Sequence, residues 1–218
     1  MKYIKNLFKS IAEVLLLMIL QYTILFGVYF VCKNNYIIIG TMCLMIFELC
    51  YIMYKYRKGN ISTLSNIYFS YILLGIAISI IYNMIIFKIG IEFTLGDVDI
   101  ILNIIASCII GPIFEEFLFR YSLINKLEKF NSKWGSIIIS SLVFSLIHNN
   151  IPTMIFAFII GLFNSYFYIN KKDLLIPICI HVSANTISTF LYGYNGTILI
   201  LGIILFIISN LIIVKRAS

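Results

Sequence analysis

Charge is scarce in this sequence: 11% of its 218 residues are Asp, Glu, Lys or Arg, and only nine of those are acidic. A soluble domain carries about 25% charged residues, so a water-facing surface of ordinary size is excluded. Proline is nearly missing too, at three residues, and no Ser- or Gly-rich run interrupts the chain. Without such a linker there is no place for a second, soluble domain, and 1–218 reads as one membrane domain. The five cysteines, Cys32, Cys43, Cys50, Cys108 and Cys179, lie mostly inside apolar runs with no CxxC spacing, so they read as packing residues and imply neither a disulfide framework nor a metal knuckle. No HExxH and no GxSxG is present, so the usual helix-borne zinc site and the serine-hydrolase elbow are excluded as well.

What the chain has instead is apolar length. Hydrophobic residues make up 61% of it and the mean hydropathy is +1.03. A helix crossing a hydrocarbon core about 30 Å thick needs about 20 apolar residues. Eight stretches qualify between polar breaks: about 8 to 31, 36 to 54, 67 to 88, 98 to 127, 134 to 149, 152 to 169, 174 to 192 and 197 to 214. The expectation is an all-α polytopic transmembrane helix bundle of about eight spans in the cell membrane, with a short, tilted or re-entrant fifth span. The basic start followed by an apolar run resembles a signal peptide. No small-residue cleavage site follows it, so it reads as a retained first helix.

The formal net charge of +7 suggests nucleic acid until the positions are inspected. If both termini are cytoplasmic, inner segments hold Lys2, Lys5, Lys9, Lys55, Arg57, Lys58, Lys126, Lys129, Lys133, Lys171, Lys172, Lys215 and Arg216. Outer segments hold only Lys33 and Lys88, and Arg120 lies within a span. That asymmetry is the positive-inside pattern. The basic surplus is topology, the lipid bilayer is the partner it implies, and no nucleic acid is expected.

Against this background Glu115, Glu116 and Arg120, inside the apolar run from Ile100 to Leu127, stand out. An ionisable side chain at mid-membrane costs roughly 2.5–3.5 kcal/mol on insertion scales and marks function by default. Glu116 and Arg120 stand at i and i+4 with the acid first, the favourable order for a helical ion pair. Glu115, rotated about 100° away, is left as the candidate base. Gly111-Pro112 just ahead is expected to kink the helix and free backbone carbonyls.

The two histidines, His148 and His181, both fall within or at the end of spans. Helical spacing puts Phe144 on the face of His148, and Asn185 on the face of His181. At 1.5 Å per residue, Glu116 lies about 15 Å from Lys126, His148 about 22 Å from Lys133 and His181 about 12 Å from Asp173, so His148 is the worst fit to a common depth. Glutamate and histidine can activate a water while a second histidine and an asparagine donate to an oxyanion, which describes amide hydrolysis. Alternatively Glu115, His148 and His181 are the ligand set of a divalent metal such as zinc. Other polar residues in spans receive plainer readings. Glu13 and Glu48 reach an interface or pair with a neighbouring helix. Asn164 and Ser165 pack helices, with Gly161 and Ser165 forming a small-residue seam.

The ordered set Glu115-Glu116-Phe117-Leu118-Phe119-Arg120, Phe144 to His148 and His181 to Asn185 resembles the EExxxR, FxxxH and HxxxN motifs of the CPBP family. That family comprises type II CAAX prenyl endopeptidases and bacteriocin-processing or Abi proteins. Gly111-Pro112-Ile113, Gly161-Leu162 and Pro177-Ile178 add to the likeness, which covers about residues 98 to 190. Tyr121 stands where a glycine often follows the arginine, and Gly111 where an alanine is common. The resemblance implies an intramembrane peptidase, metal-dependent or glutamate-dependent without metal, acting on a peptide or membrane-protein substrate. In it Glu115 and His148 would activate water, His181 and Asn185 would stabilise the oxyanion, and Glu116 and Arg120 would form a supporting ion pair. A non-catalytic immunity or regulatory scaffold using the same residues structurally is the alternative. A proton-coupled transporter ranks last, since no repeated halves are visible.

Overall fold

The computed structural model describes residues 2–32, 36–56, 67–91 and 100–215. The expected polar breaks at Lys33-Asn34-Asn35, and most of those at 55–60 and 90–97, lie outside the described residues, as do Arg57, Lys58 and Arg216. Every described regular element is helical: α1 (Lys2–Cys32), α2 (Tyr36–Tyr56), α3 (Tyr68–Lys88), a composite rod α4 (100–127), α5 (Lys133–Leu146), α6 (Ile151–Lys171), α7 (Leu175–Phe190) and α8 (Gly196–Lys215). Each coincides with one expected apolar stretch. α1, α2, α3, α6 and α8 are long and apolar enough to cross a membrane. The apolar α5 and α7 are shorter.

Burial separates the helices into layers. α3 lies innermost, packed between α7 and α8. Tyr71, Leu74, Ile78, Ile160, Ile180 and Ala184 form its shared core with α6 and α7. α1, α2 and α8 leave Phe26, Phe30, Met53, Ile207 and Leu211 exposed, as helices facing lipid do. α4 runs between two further clusters. On one side Val14, Leu17, Phe114, Leu118 and Phe119 join it to α1. On the other, Phe117, Ile124, Tyr168 and Ile178 join it to α6 and α7.

α4 is not a uniform helix. Its stretches Ile104–Ile110 and Phe117–Ile124 are π-helical, and Gly111–Glu116 between them is α-helical. Pro112 has no N–H to return to the preceding turn. The carbonyl of Ser107, five residues back, instead accepts from Asn185 Nδ2 at 3.0 Å. That hydrogen bond ties α4 to α7 beside Gly111-Pro112. π-Turns of this kind are frequent at functional sites.

Polar contacts gather the basic residues at one end. Glu13 Oε1 lies 2.7 Å from Lys55 Nζ, and its other oxygen meets Lys126 and the Ser122 hydroxyl, which joins α1, α2 and α4. Lys172 pairs with Glu128, and Lys133 donates to Asn170 at the same end. Lys88 sits at the far end of α3, over the Tyr194 ring. Glu13 is thus the helix-pairing acid the sequence suggested. The cysteines are all free.

Small residues set the closest crossings. Gly161 lies against Ser141, and the Ser141 and Ser165 hydroxyls are 3.4 Å apart, so the seam read from Gly161 and Ser165 is the α5–α6 contact. Gly75 is tighter: a Cβ there would come within 2.2 Å of the Ile180 carbonyl oxygen and of Ser183 Oγ. Forcing a side chain into such a contact costs about 1–3 kcal/mol or more. Gly75→Val is therefore expected to lower the thermal midpoint of the detergent-solubilised protein markedly. Gly27→Ala, with nothing within 4 Å of its added Cβ, is expected to leave it unchanged.

Candidate active site

The site is built outward from one dry ion pair. Glu116 and Arg120 are both fully buried, with Arg120 Nε 3.0 Å from Glu116 Oε2. The N–H does not point along that line, and the terminal guanidinium nitrogens have no hydrogen-bond partner among the described residues. Electrostatic attraction rather than aligned hydrogen bonds therefore holds the pair. The guanidinium is covered by an aromatic face instead, its Cζ standing 4.9 Å from the Phe144 ring centroid, a cation–π contact strengthened by desolvation.

Glu116 Oε1 is satisfied from two other helices. Asn164 Nδ2 of α6 donates to it at 2.9 Å, and His181 Nδ1 of α7 lies 2.8 Å away. Asn164 Nδ2 also reaches the Pro177 carbonyl at 3.2 Å, bridging α6 to α7 beside the carboxylate. A carboxylate paired with arginine can only accept, so His181 carries its proton on Nδ1 and presents Nε2 to the other side. That side holds Glu115, whose Oε2 is 3.6 Å from His181 Nε2. The neighbouring glutamates differ sharply in exposure: the Glu115 side chain is 24% accessible and that of Glu116 is 0%.

His148 reaches the site by a route that straight-helix arithmetic missed. α5 ends at Leu146, and His148 sits in the turn beyond it. Its Nδ1 is 3.0 Å from the Phe144 carbonyl oxygen, an acceptor only, so in the neutral ring Nε2 is left with a free lone pair. Phe144 is edge-on to both imidazoles, with centroids 5.2 Å from His148 and 5.5 Å from His181. One ring thus spaces the two histidines and roofs the arginine.

Glu115, His148, His181 and Asn185 all line a single cavity of about 450 Å³. It adjoins a second cavity of about 280 Å³ on the α1 side, with Glu115, His148 and Thr153 on both walls. It also adjoins a third of about 240 Å³ on the α3 side, with Ser107, Phe156 and Asn185 in common. The three cavities share walls, at Glu115 and His148 on the α1 side and at Ser107 and Asn185 on the α3 side. All six residues singled out by sequence are therefore in one place, with Glu116 and Arg120 behind the cavity wall. Glu115, His148 and His181 do not close into a metal-binding cluster among the described residues.

Two residues of the site carried no clear sequence signal. Asn164 packs helices as expected, and does so by holding Glu116. The available clue was that a carboxamide in an apolar span must find a partner. Glu48 of α2 lines the cavity, although its helix bears none of the three motifs.

The segment that carries the site is similar to known proteins. The family described as type II CAAX prenyl endopeptidase Rce1-like matches residues 97–187, which bears out the CPBP resemblance over this segment. The chain is 33% identical over 118 residues to "Putative membrane peptidase YdiL" of Bacillus subtilis (strain 168), covering 51% of this chain and 48% of that protein. It is 36% identical over 85 residues to "Membrane-embedded CAAX protease MroQ" of Staphylococcus aureus (strain USA300), covering 35% and 34%. An uncharacterised 24.3 kDa protein of Escherichia coli is 32% identical over 100 residues, covering 44% and 46%. The aligned part of the chain thus spans half or less of the length of these curated relatives. No solved structure matches the chain. The apolar helices and bacterial membrane-peptidase relatives make this a multi-pass bacterial membrane protein.

The buried pair generates a stability prediction. Removing one partner of a buried ion pair costs about 3–5 kcal/mol, whereas replacing both by apolar residues is often neutral. Arg120→Met is expected to destabilise the protein by that amount in mixed-micelle unfolding, and the double variant Arg120→Met/Glu116→Met to recover most of the loss.

Proposed function

We propose that the chain is an intramembrane endopeptidase that hydrolyses a peptide bond of a membrane-associated peptide or protein, with its catalytic core at 98–190 of a single membrane domain, 1–218. The observation that carries this reading is the meeting of Glu115, His148, His181 and Asn185 in one cleft. Cavities that share walls with this one, toward α1 and toward α3, give an extended peptide room to lie beside it.

In this reading a water bound between Glu115 and Nε2 of His148 loses a proton to the Glu115 carboxylate as its oxygen adds to the scissile carbonyl carbon. The oxyanion is held by the second Nδ2 hydrogen of Asn185, whose first is given to Ser107, and by Nε2–H of His181. Glu116 supports positive charge on that imidazole through Nδ1, while Arg120 balances Glu116. Glu115 then passes its proton to the leaving amine as the C–N bond breaks. Oriented donors of this type are worth about 10²–10³ in rate each, and a positioned base about 10²–10⁴.

The collection of lysines at one end supports eight crossings with that end and both termini in the cytoplasm. The substrate would then meet the site from within or beside the bilayer. Bacterial relatives named as membrane peptidase and CAAX protease support the reaction class.

Glu115→Gln and His148→Ala are each expected to reduce cleavage of a cognate membrane peptide by at least about 100-fold in reconstituted bilayers while melting near the wild type. Unchanged cleavage by both would sink the proposal and favour the scaffold reading. The steps above run through protons alone, so exhaustive chelation is expected to leave the rate unchanged. A loss restored by added zinc would instead assign Glu115, His148 and His181 as its ligands.

A further inference from the structure

The cleft contains a carboxylate that the mechanism does not use. Glu48 is on the face of α2 formed by Thr41, Leu44, Met45 and Glu48, all partly buried and all lining the main cavity. The spacing i, i+3, i+4, i+7 makes this one wall of the cleft. Gln21 Nε2 of α1 donates to Glu48 Oε1 at 2.8 Å. Gln21 itself lines the adjoining cavity on the α1 side. The second carboxylate oxygen, Oε2, has no partner among the described residues and lies in a side chain that bounds open space.

The charge around it is one-sided. Glu48 and Glu115 line the main cavity, and no Lys or Arg lines it or either adjoining cavity among the described residues. The nearby cations are engaged elsewhere: Arg120 with Glu116, and Lys55, two turns along α2, with Glu13 and Ser122. A carboxylate in a water-poor setting needs a counter-charge, and among the described residues no lysine or arginine lines the cavity to supply one, while His181 is turned to Glu115 and Glu116. Gln21 fixes the side chain by a neutral hydrogen bond and leaves the charge open. That is how a binding subsite is built, with one oxygen oriented and the other presented.

We propose that Glu48, oriented by Gln21, is a subsite that binds a cationic group of the peptide in the cleft, either a Lys or Arg side chain or a free α-ammonium. The proposal rests on the peptidase reading for the identity of the ligand as a peptide. The subsite is on α2, which packs beside α4 through Phe47, Tyr51 and Phe114 and lines the same cavity as Glu115, so it selects which peptides lie productively and takes no part in moving protons.

Binding tests this separately from cleavage. Fluorescein-labelled Ala/Leu peptides carrying one central Lys or Gln, each with a free or an acetylated N-terminus, are titrated by anisotropy into the full-length protein in nanodiscs. The Glu115→Gln background removes turnover. The acetylated Lys peptide, or the free-amine Gln peptide, is expected to bind about tenfold tighter than the acetylated Gln peptide. Which of the two does so identifies the cation's source. Glu48→Gln keeps an oxygen for Gln21 and is expected to bring the peptides within about twofold of each other. Leu44→Lys, one turn before Glu48 with Glu48 itself intact, supplies a cation in cis and is expected to do the same. Equal binding of all peptides to the unsubstituted cleft, or a cationic preference that survives both substitutions, would overturn the proposal. A preference that depends on Glu48 without cleavage by the parent protein supports the subsite and counts against the peptidase reading alone.

Discussion

The structure depends on one interaction, the ion pair of Glu116 and Arg120 at complete burial. A carboxylate out of water must be neutralised and its remaining lone pairs occupied. Arginine at i+4 supplies the charge, but one helix cannot supply the other donors. They come from Asn164 on α6 and His181 on α7, so satisfying one side chain fixes how three helices meet. Asn164 reinforces the junction through the Pro177 carbonyl. The position of His181, the residue that faces Glu115, is thereby a consequence of where Glu116 needed a donor.

Phe144 solves the other half of that problem. The arginine has more N–H groups than the site has acceptors, and an aromatic face is the partner that adds no further polar group to bury. The same ring stands edge-on to His148 and His181, and packs against Phe119 at 5.0 Å. Its backbone carbonyl fixes the His148 ring through Nδ1. A motif written as a phenylalanine four residues before a histidine thus has physical content. The side chain roofs the arginine and spaces the imidazoles, and the main chain fixes the tautomer of one of them.

Much of this was legible in the sequence, and the boundary follows from the kind of interaction involved. Apolar runs gave the eight helices because span length is a local property. The i, i+4 rule gave the Glu116–Arg120 pair, and ordered motifs gave the two histidines and Asn185. Straight-helix arithmetic made His148 the worst fit to a common depth; α5 in fact stops at Leu146 and a turn carries the ring. The π-helical stretches had only Gly111-Pro112 as a herald, and nothing marked Phe117–Ile124. Asn164 does pack helices and Glu48 does pair with a neighbouring helix, but their particular partners were not legible. Their roles come from contacts between helices far apart in sequence, Glu116 with Asn164 and Gln21 with Glu48, and no local pattern encodes such a contact.

The adjacent glutamates then pose a question of design. Residues 115 and 116 share a helix turn, yet one is fully buried and ion-paired while the other faces a cavity large enough for water and substrate. The turn itself explains the division: a step of about 100° takes consecutive side chains from the α6–α7 junction to the cleft. Since Glu116 takes the arginine, the asparagine and one nitrogen of His181, the contact left to Glu115 among the described residues is the other nitrogen of that ring, at 3.6 Å. An under-coordinated carboxylate beside open space can still accept a proton from something else. The pair therefore works as a unit, in which one acid is consumed by the fold so that its neighbour is held in place and remains uncommitted.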